Sequence, residues 1–524
     1  MAKYIPYDYN QSTMVVINFN DQIQTGTFEH AVHHLVDNKL DLSLFEKVYK
    51  NDDNGRPAYD PTILLKIILF AYSKGITSSR EIEWCCHHNI IFMALSCQST
   101  PHFTTIADFI SGHCEAVESL FEQVLLVCDE QGLLGNELFA IDGCKMPSNA
   151  AKEWSGTHKE LATKRDKIKH LIKHHTQKHQ QMDLIEGDAI EEGTLQAKRH
   201  EQAIETLNKA ADKIDKFLES NEPRRGKGKK PKEVKSNITD NESAKMTTSK
   251  GTIQGYNGIA SVDKKHQIII GADAFGEGQE HHTLQPILES IKARYKKLGL
   301  SEDLFKTNVI VTADTGFANE ANMRYLHENG INGYIPDNKF RSRDPKFKDH
   351  KIKHPRKSRA KKGSTTIFPA EKFTFDEETL SCTCPNGEKL THSGNVKDSK
   401  GNTTARFSGR VTQCRECPKI KHCMKNPTAT TKPNGCGRQV SFLLHKQNNP
   451  SHTDWMKERV DSDKGKRIYS HRMSVVEPVF GNLEYNKKLT RFGLRGLKKV
   501  NSQWKLFCLI QNIEKIANYG KIAA

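Results

Sequence analysis

Glu137-Leu-Phe-Ala-Ile-Asp142-Gly143 is the stretch that decides the reading of this sequence. Four apolar residues run without a break into a carboxylate and a glycine. A continuous apolar run of this length predicts a strand buried on both faces. A carboxylate at its end would emerge at the rim of a sheet, where ligand sites form. The glycine lets the backbone turn away, and Met146 to Ala150 is expected to leave the strand. Alone, such an aspartate is more often a turn residue or a helix cap. Asn308 to Asp314 (NVIVTAD) repeats the pattern, with Thr315-Gly316 behind it.

Further strand signals lie at Gly251–Asp263 (TIQGYNGIASVD after the glycine) and Gln267–Ala274 (QIIIGADA), with a short fifth strand at Gly333–Pro336. Glu320–Asn329 has the pattern of a helix closed by Gly330. Strands alternating with helices predict an α/β mixed sheet. Upstream, residues 1–135 are mainly helical in pattern. Asp60-Pro61 opens a helix carrying Ile63, Leu64, Ile67, Ile68 and Ala71, and Gly75 stops it. Ser78 or Ser79 caps the next, and a third begins near Thr104. Short helices with tight turns suit a helix-turn-helix-like DNA reader, although any small bundle shares the pattern.

Two stretches interrupt the sheet. In residues 151–244, Ile204, Leu207, Ala211, Ile214 and Leu218 form a heptad-like seam, with a weaker one at Leu161, Ile168 and Ile172. Gly187–Gly193 is expected to turn a helical hairpin, and Pro223–Pro231 to be a mobile basic linker. Residues 340–449 are basic and cysteine-rich. Cys382-x-Cys384 and Cys414-x2-Cys417-x5-Cys423 lie within them, with Cys436 beyond. Cys-x2-Cys is a frequent half-site for tetrahedral zinc, and a lysine-rich segment with little apolar content needs such a staple. One structural zinc ion is therefore expected. Cys384, Cys414, Cys417 and Cys423 are the first choice of ligands, with Cys382, Cys436 and His422 as alternates. Free thiols in a loose loop are the competing reading.

The chain has 524 residues, enough for several domains. Hydrophobic residues make up 36% and charged residues 27%, so it should fold. A net charge of +16 favours a polyanionic partner, most simply nucleic acid. No secretory pattern opens the sequence and no apolar run is long enough to span a bilayer. A cytoplasmic, nucleoid-associated protein with unpaired cysteines and no membrane partner is expected.

A third carboxylate raises the significance of the first two. Glu477 lies in VVEPVFG, residues 475–481. Pro478 is tolerated only in the first turn of a helix, which places Glu477 at or near a helix start. Three carboxylates sharing a site give hard oxygen ligands suited to Mg²⁺ or Mn²⁺.

The stretches FAIDG, VTADTGF and RMSVVEPVFGNLEYN resemble the three catalytic blocks of DDE transposases. The closest likeness is to the IS1182-type family, within the IS4/IS5-like group of bacterial insertion sequences. DPTILLKIILFAYSKGITSSREIE resembles that family's helical leader, and FGLRGLKKVNSQWKLFCLIQNIEKIA its closing helix. The resemblance implies an RNase H-like catalytic core assembled from residues 136–150, 245–339 and 450–524, behind a DNA-binding domain at 1–135. It implies two metal ions about 3.5–4 Å apart, clamping an in-line displacement at phosphorus. Asp142, Asp314 and Glu477 would hold them, with Asp142 bridging. Tyr469 and Arg472 match the tyrosine and arginine of the glutamate block, Arg472 one residue further from the glutamate than in the related signature. Arg472 would neutralise phosphate charge and Tyr469 would position the DNA backbone. Where a lysine is often found, the chain has Glu484, and Lys487 or Lys488 would replace its phosphate contact.

The expected function is metal-dependent cleavage at insertion-sequence ends and strand transfer into target DNA. The expected partners are terminal inverted repeats, target DNA and a second copy of the chain. The competing readings are a structure-specific nuclease on the same sheet, a silent or domesticated DNA-binding descendant, and a zinc-dependent nucleic-acid module without catalysis.

Overall fold

The computed structural model describes residues 17–47, 57–183, 190–226, 231–249, 251–347, 367–397, 402–432, 434–445 and 451–521. The chain divides into two compact units, residues 1–340 with 455–524, and residues 341–454.

The large unit opens with helices. Besides two four-residue helices at Phe19–Gln22 and Ser43–Glu46, they are α1 (Phe28–Asn38), α2 (Pro61–Ser73), α3 (Ser79–His88), α4 (Ile90–Leu95), α5 (Phe103–Gly112) and α6 (Cys114–Glu130). Asp60 caps α2 by accepting from the Thr62 N–H at 2.8 Å, with Pro61 in the first turn. Gly75 ends it at φ +74°, a left-handed conformation that glycine adopts without strain. Leu64, Leu65, Ile67, Ile68 and Leu69 are all buried, so this helix is apolar nearly all round and lies inside the bundle.

The sheet follows: β1 (Leu138–Pro147), β2 (Ala244–Thr248), β3 (Gly251–Asp263), β4 (Ile269–Phe275), β5 (Ile310–Ala313) and β6 (Asn332–Tyr334). The central order is β4–β3–β1–β5–β6. β3 is antiparallel to both β1 and β4, while β5 is parallel to β1 and β6 to β5. β2 pairs with the opening residues of β3. The mixed sheet is thus present, but β1 extends past its predicted end. Gly143–Pro147 carry no apolar run, yet they pair with Gly255–Ile259 and continue the ladder. Asp142 is accordingly mid-strand with respect to β3, and only the parallel ladder with β5 stops beside it.

Between β1 and β2, helices α7 (His158–Asp183) and α8 (Ile190–Ser220) pack on each other. Leu161, Ile168, Ala211, Ile214 and Phe217 form their shared core, with Ile172, Leu207 and Leu218 alongside. Where it is described, the heptad seam packs inside one chain. Of the expected turn, residues 187–189 lie outside the described residues, and Gly193 falls within α8. Of the basic linker, residues 227–230 lie outside the described residues. Arg224 is anchored, donating to the carbonyls of Asn241 and, at 2.9 Å, Ser243.

Helices cover both faces of the sheet. α9 (Leu284–Lys297) lies on one, with Ile291 against Gly271, and α10 (Glu320–Glu328) connects β5 to β6. On the other face lie α12 (Asp463–Gly481) and α13 (Leu497–Tyr519), preceded by α11 (His452–Asp461). Trp504 of α13 is fully buried. A Cβ at Gly258 would stand 3.2 Å from its ring, and its indole N–H donates to the Ile259 carbonyl at 2.9 Å.

α12 departs from expectation. Pro478 sits inside the helix rather than in its first turn. A proline there leaves the Ser474 carbonyl without its helical N–H. The Gln267 side chain supplies the missing donor at 3.1 Å. A residue more than two hundred positions away thus lets the helix run on, and Glu477 sits near its C-terminal end.

The small unit holds a five-stranded antiparallel sheet in sequential order: β7 (Thr374–Asp376), β8 (Ser381–Thr383), β9 (Lys389–Lys397), β10 (Thr403–Ser408) and β11 (Gln439–His445).

Candidate active site

The last rung of the parallel ladder pairs Ile141 with Ala313. One step further along both strands stand Asp142 and Asp314. Side chains on neighbouring strands at the same rung point the same way, so the register brings together two carboxylates remote in sequence. Each is steadied by the N–H of its successor, Gly143 at 2.9 Å and Thr315 at 2.6 Å.

Arg472 reaches the site from α12. It is buried and pairs with Asp142 at 2.6 Å. Its Nε is also buried and finds no acceptor among the described residues. Tyr469, one turn earlier, is half-buried with its ring edge-on to Phe340, centroids 5.4 Å apart.

Glu477 is exposed on α12. At about 100° per residue, five residues place it on a different side of the helix from Arg472. The acidic neighbour that Asp142 and Asp314 both act on is Glu280, in the turn between β4 and α9. Its carboxylate accepts from the Asn257 amide at 3.4 Å. It lies against Gly143 and Gly316, the glycines just past the two aspartates, and a side chain at Gly316 would collide with it. Sequence reasoning missed Glu280 because it sits in a polar crossover with no apolar strand leading to it. Its one signal was position: a carboxylate in a strand-to-helix turn at the end of the sheet.

Burial is the main influence on Asp142 and pushes its carboxyl above the usual range. Arg472 and the Gly143 N–H pull it down, while Asp314 pushes it up. Burial raises Glu280 too. Lys145 and Asn257 oppose that shift, and Asp142 and Asp314 reinforce it. A crowded, partly desolvated set of oxygen donors holding more negative charge than Arg472 offsets suits a hard divalent cation. As the side chains stand, no three potential ligands are gathered at binding distance among the described residues.

Lys487 is not a phosphate contact. It is fully buried and pairs with Glu514 at 2.6 Å. Lys488 is exposed.

Two family models match the chain. One, described as a transposase DDE domain, covers residues 383–517, and the other, a transposase domain (DUF772), covers residues 17–112. These domains mark the chain as a transposase. The pairing of a DUF772 leader with this DDE domain is typical of the IS1182-type family. The matched segments contain Tyr469, Arg472 and Glu477 but neither aspartate, and the link between the matched segment and the aspartates is the Arg472–Asp142 ion pair. No curated protein and no solved structure matches the chain. No described helix is long and apolar enough to cross a membrane.

Proposed function

We propose that this transposase cleaves DNA at the ends of its insertion sequence and joins the freed 3′-ends to target DNA at the Asp142–Asp314 site. The observation that carries the reading is the Ile141–Ala313 rung, which sets the two aspartates side by side under Arg472. An RNase H-like core is part of the proposal. Its support is a central strand flanked by an antiparallel pair on one side and two parallel strands on the other, with helices on both faces.

Two Mg²⁺ or Mn²⁺ ions, when bound, would activate the attacking oxygen and stabilise the leaving one. Asp142 and Asp314 are the proposed ligands, and Glu477 is the third carboxylate expected from the matched DDE segment. Glu280 competes for that role because of its position beside both aspartates. Arg472 holds Asp142 in place and supplies positive charge beside the site for a phosphate oxygen. Tyr469 orients the backbone of the DNA strand. Synapsis of two ends calls for a homodimer.

The test is incubation of the purified chain with a DNA duplex carrying the element's end and Mg²⁺. The expected result is a nick that frees a 3′-hydroxyl, followed by joining to target DNA. Nicking without joining would favour a structure-specific nuclease. End binding without nicking would favour a silent DNA-binding descendant. Undiminished nicking by Asp142→Asn would sink the site.

A further inference from the structure

The small unit carries a second cluster of chemistry, independent of the catalytic reading. Cys384 follows β8, Cys414 lies in a short helix at Val411–Arg415, Cys417 follows it, and Cys423 ends a second short helix at Ile420–Cys423. All four line one cavity, together with Leu390 and Arg438. The other three sulfurs lie close enough to Cys423 to act on it electrostatically.

The backbone around them is shaped for thiolate. The Asn386 N–H donates to the Cys384 sulfur at 3.4 Å, and the Arg438 N–H to the Cys414 sulfur at 3.5 Å. Such donors favour the charged form over the neutral thiol. Gly387, at φ +85°, turns the chain back under Cys384, and its N–H donates to the Cys384 carbonyl at 2.9 Å. Added side chains at Gly409 and Gly437 would come within 2.7 and 3.0 Å of the Cys414 sulfur, so these glycines make room for it. The other two cysteines of the unit stand apart. Cys382 is buried in the apolar cluster and Cys436 is exposed.

Among the described residues, the unit's core is small. Its apolar cluster has five buried residues, Phe373, Cys382, Ala405, Phe407 and Val440, for a unit spanning residues 341–454. A core of that size calls for a cross-link.

We propose that Cys384, Cys414, Cys417 and Cys423 bind one structural zinc ion. The four thiols bind as thiolates, each releasing its proton to solvent, and no redox change occurs. Binding draws the sulfurs inward from the cavity wall, since they are not at ligand distance as they stand.

The test measures zinc in the full chain, purified under reducing conditions without chelator. One zinc per chain is expected. It should be lost in Cys417→Ser, kept in Cys436→Ser, and kept in Cys417→His, which restores a ligand. If Cys417→Ser does not fold, a folded and zinc-loaded Cys417→His supports the site equally. Replacement by Co²⁺ should give the intense visible bands of tetrahedral thiolate coordination. Zinc-free protein with Cys384, Cys414, Cys417 and Cys423 as free thiols, disulfide-linked protein, an iron–sulfur chromophore, or a full zinc complement in a folded Cys417→Ser would each overturn the proposal.

Discussion

The six-stranded and five-stranded sheets of this chain differ in what covers them. On the large sheet, α9 packs one face and α13 the other, and the buried residues continue through the N-terminal helices as one core. Among the described residues, the apolar cluster on the small sheet has five buried members, beside a cavity lined by thiols and many exposed strand positions. The first is held by apolar burial, which scales with area and needs no particular atom. The second buries little apolar area among its described residues, and on our proposal depends on a single ion. The difference shows where chemistry can be placed. A crowded set of carboxylates costs stability, and only the sheet with surplus burial can carry it.

The largest effect should come from removing the ion. Structural zinc contributes roughly 10–16 kcal/mol in small zinc-dependent folds. A strong chelator under reducing conditions should open residues 341–454 to proteolysis while the sheet core of the large unit stays protected. Equal protection before and after chelation would erase the contrast. Next is the chemistry. Asp142→Asn should lower strand cleavage by at least about 10³-fold, close to 4 kcal/mol of barrier. Glu280→Gln and Glu477→Gln, assayed beside it, would identify the third carboxylate: the variant as damaged as Asp142→Asn carries the role.

Within the large core, Trp504→Ala should cost about 3–5 kcal/mol of stability, as for other buried aromatics, measured by denaturant unfolding. The melting of the small unit should not change. A smaller loss, about 1 kcal/mol, is expected for Gln267→Ala, which leaves the Ser474 carbonyl without its donor beneath Pro478. An unchanged midpoint would mean that water replaces the amide.

These positions also mark how far the sequence could be read. The apolar runs of β3, β4 and β5 announced themselves, and so did the cap and proline of α2, because each signal is local. The extension of β1 through Gly143–Pro147 was hidden, since pairing with β3 rather than hydropathy holds it. The continuation of α12 through Pro478 depends on Gln267, and no window around the proline contains it. Asp142, Asp314 and Arg472 were legible as candidates, and the structure brings these three together. Glu280 was not legible, because a turn residue acquires its meaning only when the strand ends are placed around it. The strands of the small unit were equally silent, because polar and charged residues are scattered through them and many positions are exposed.

The smallest expected effect concerns the cost of that crowding. Glu280 has its pKa raised in the folded chain, first by burial and then by Asp142 and Asp314. A carboxyl raised on folding contributes stability that is full below its unfolded pKa and is lost as pH rises through the folded value. The metal-free transposase should therefore lose part of its stability as pH climbs past the ordinary carboxylate range. Glu280→Gln cannot ionise. It should lack that component and melt slightly higher than the unmodified chain at neutral pH, with its amide still able to meet Asn257. Asp142 contributes a shift of the same sign, so some pH dependence should survive in the variant. Adding Mg²⁺ should reverse the order, because a divalent cation stabilises the ionised set more than the neutralised one. Parallel pH profiles for the two proteins, with and without Mg²⁺, would show that Glu280 is relaxed into solvent and that the acidic pair alone bears the strain.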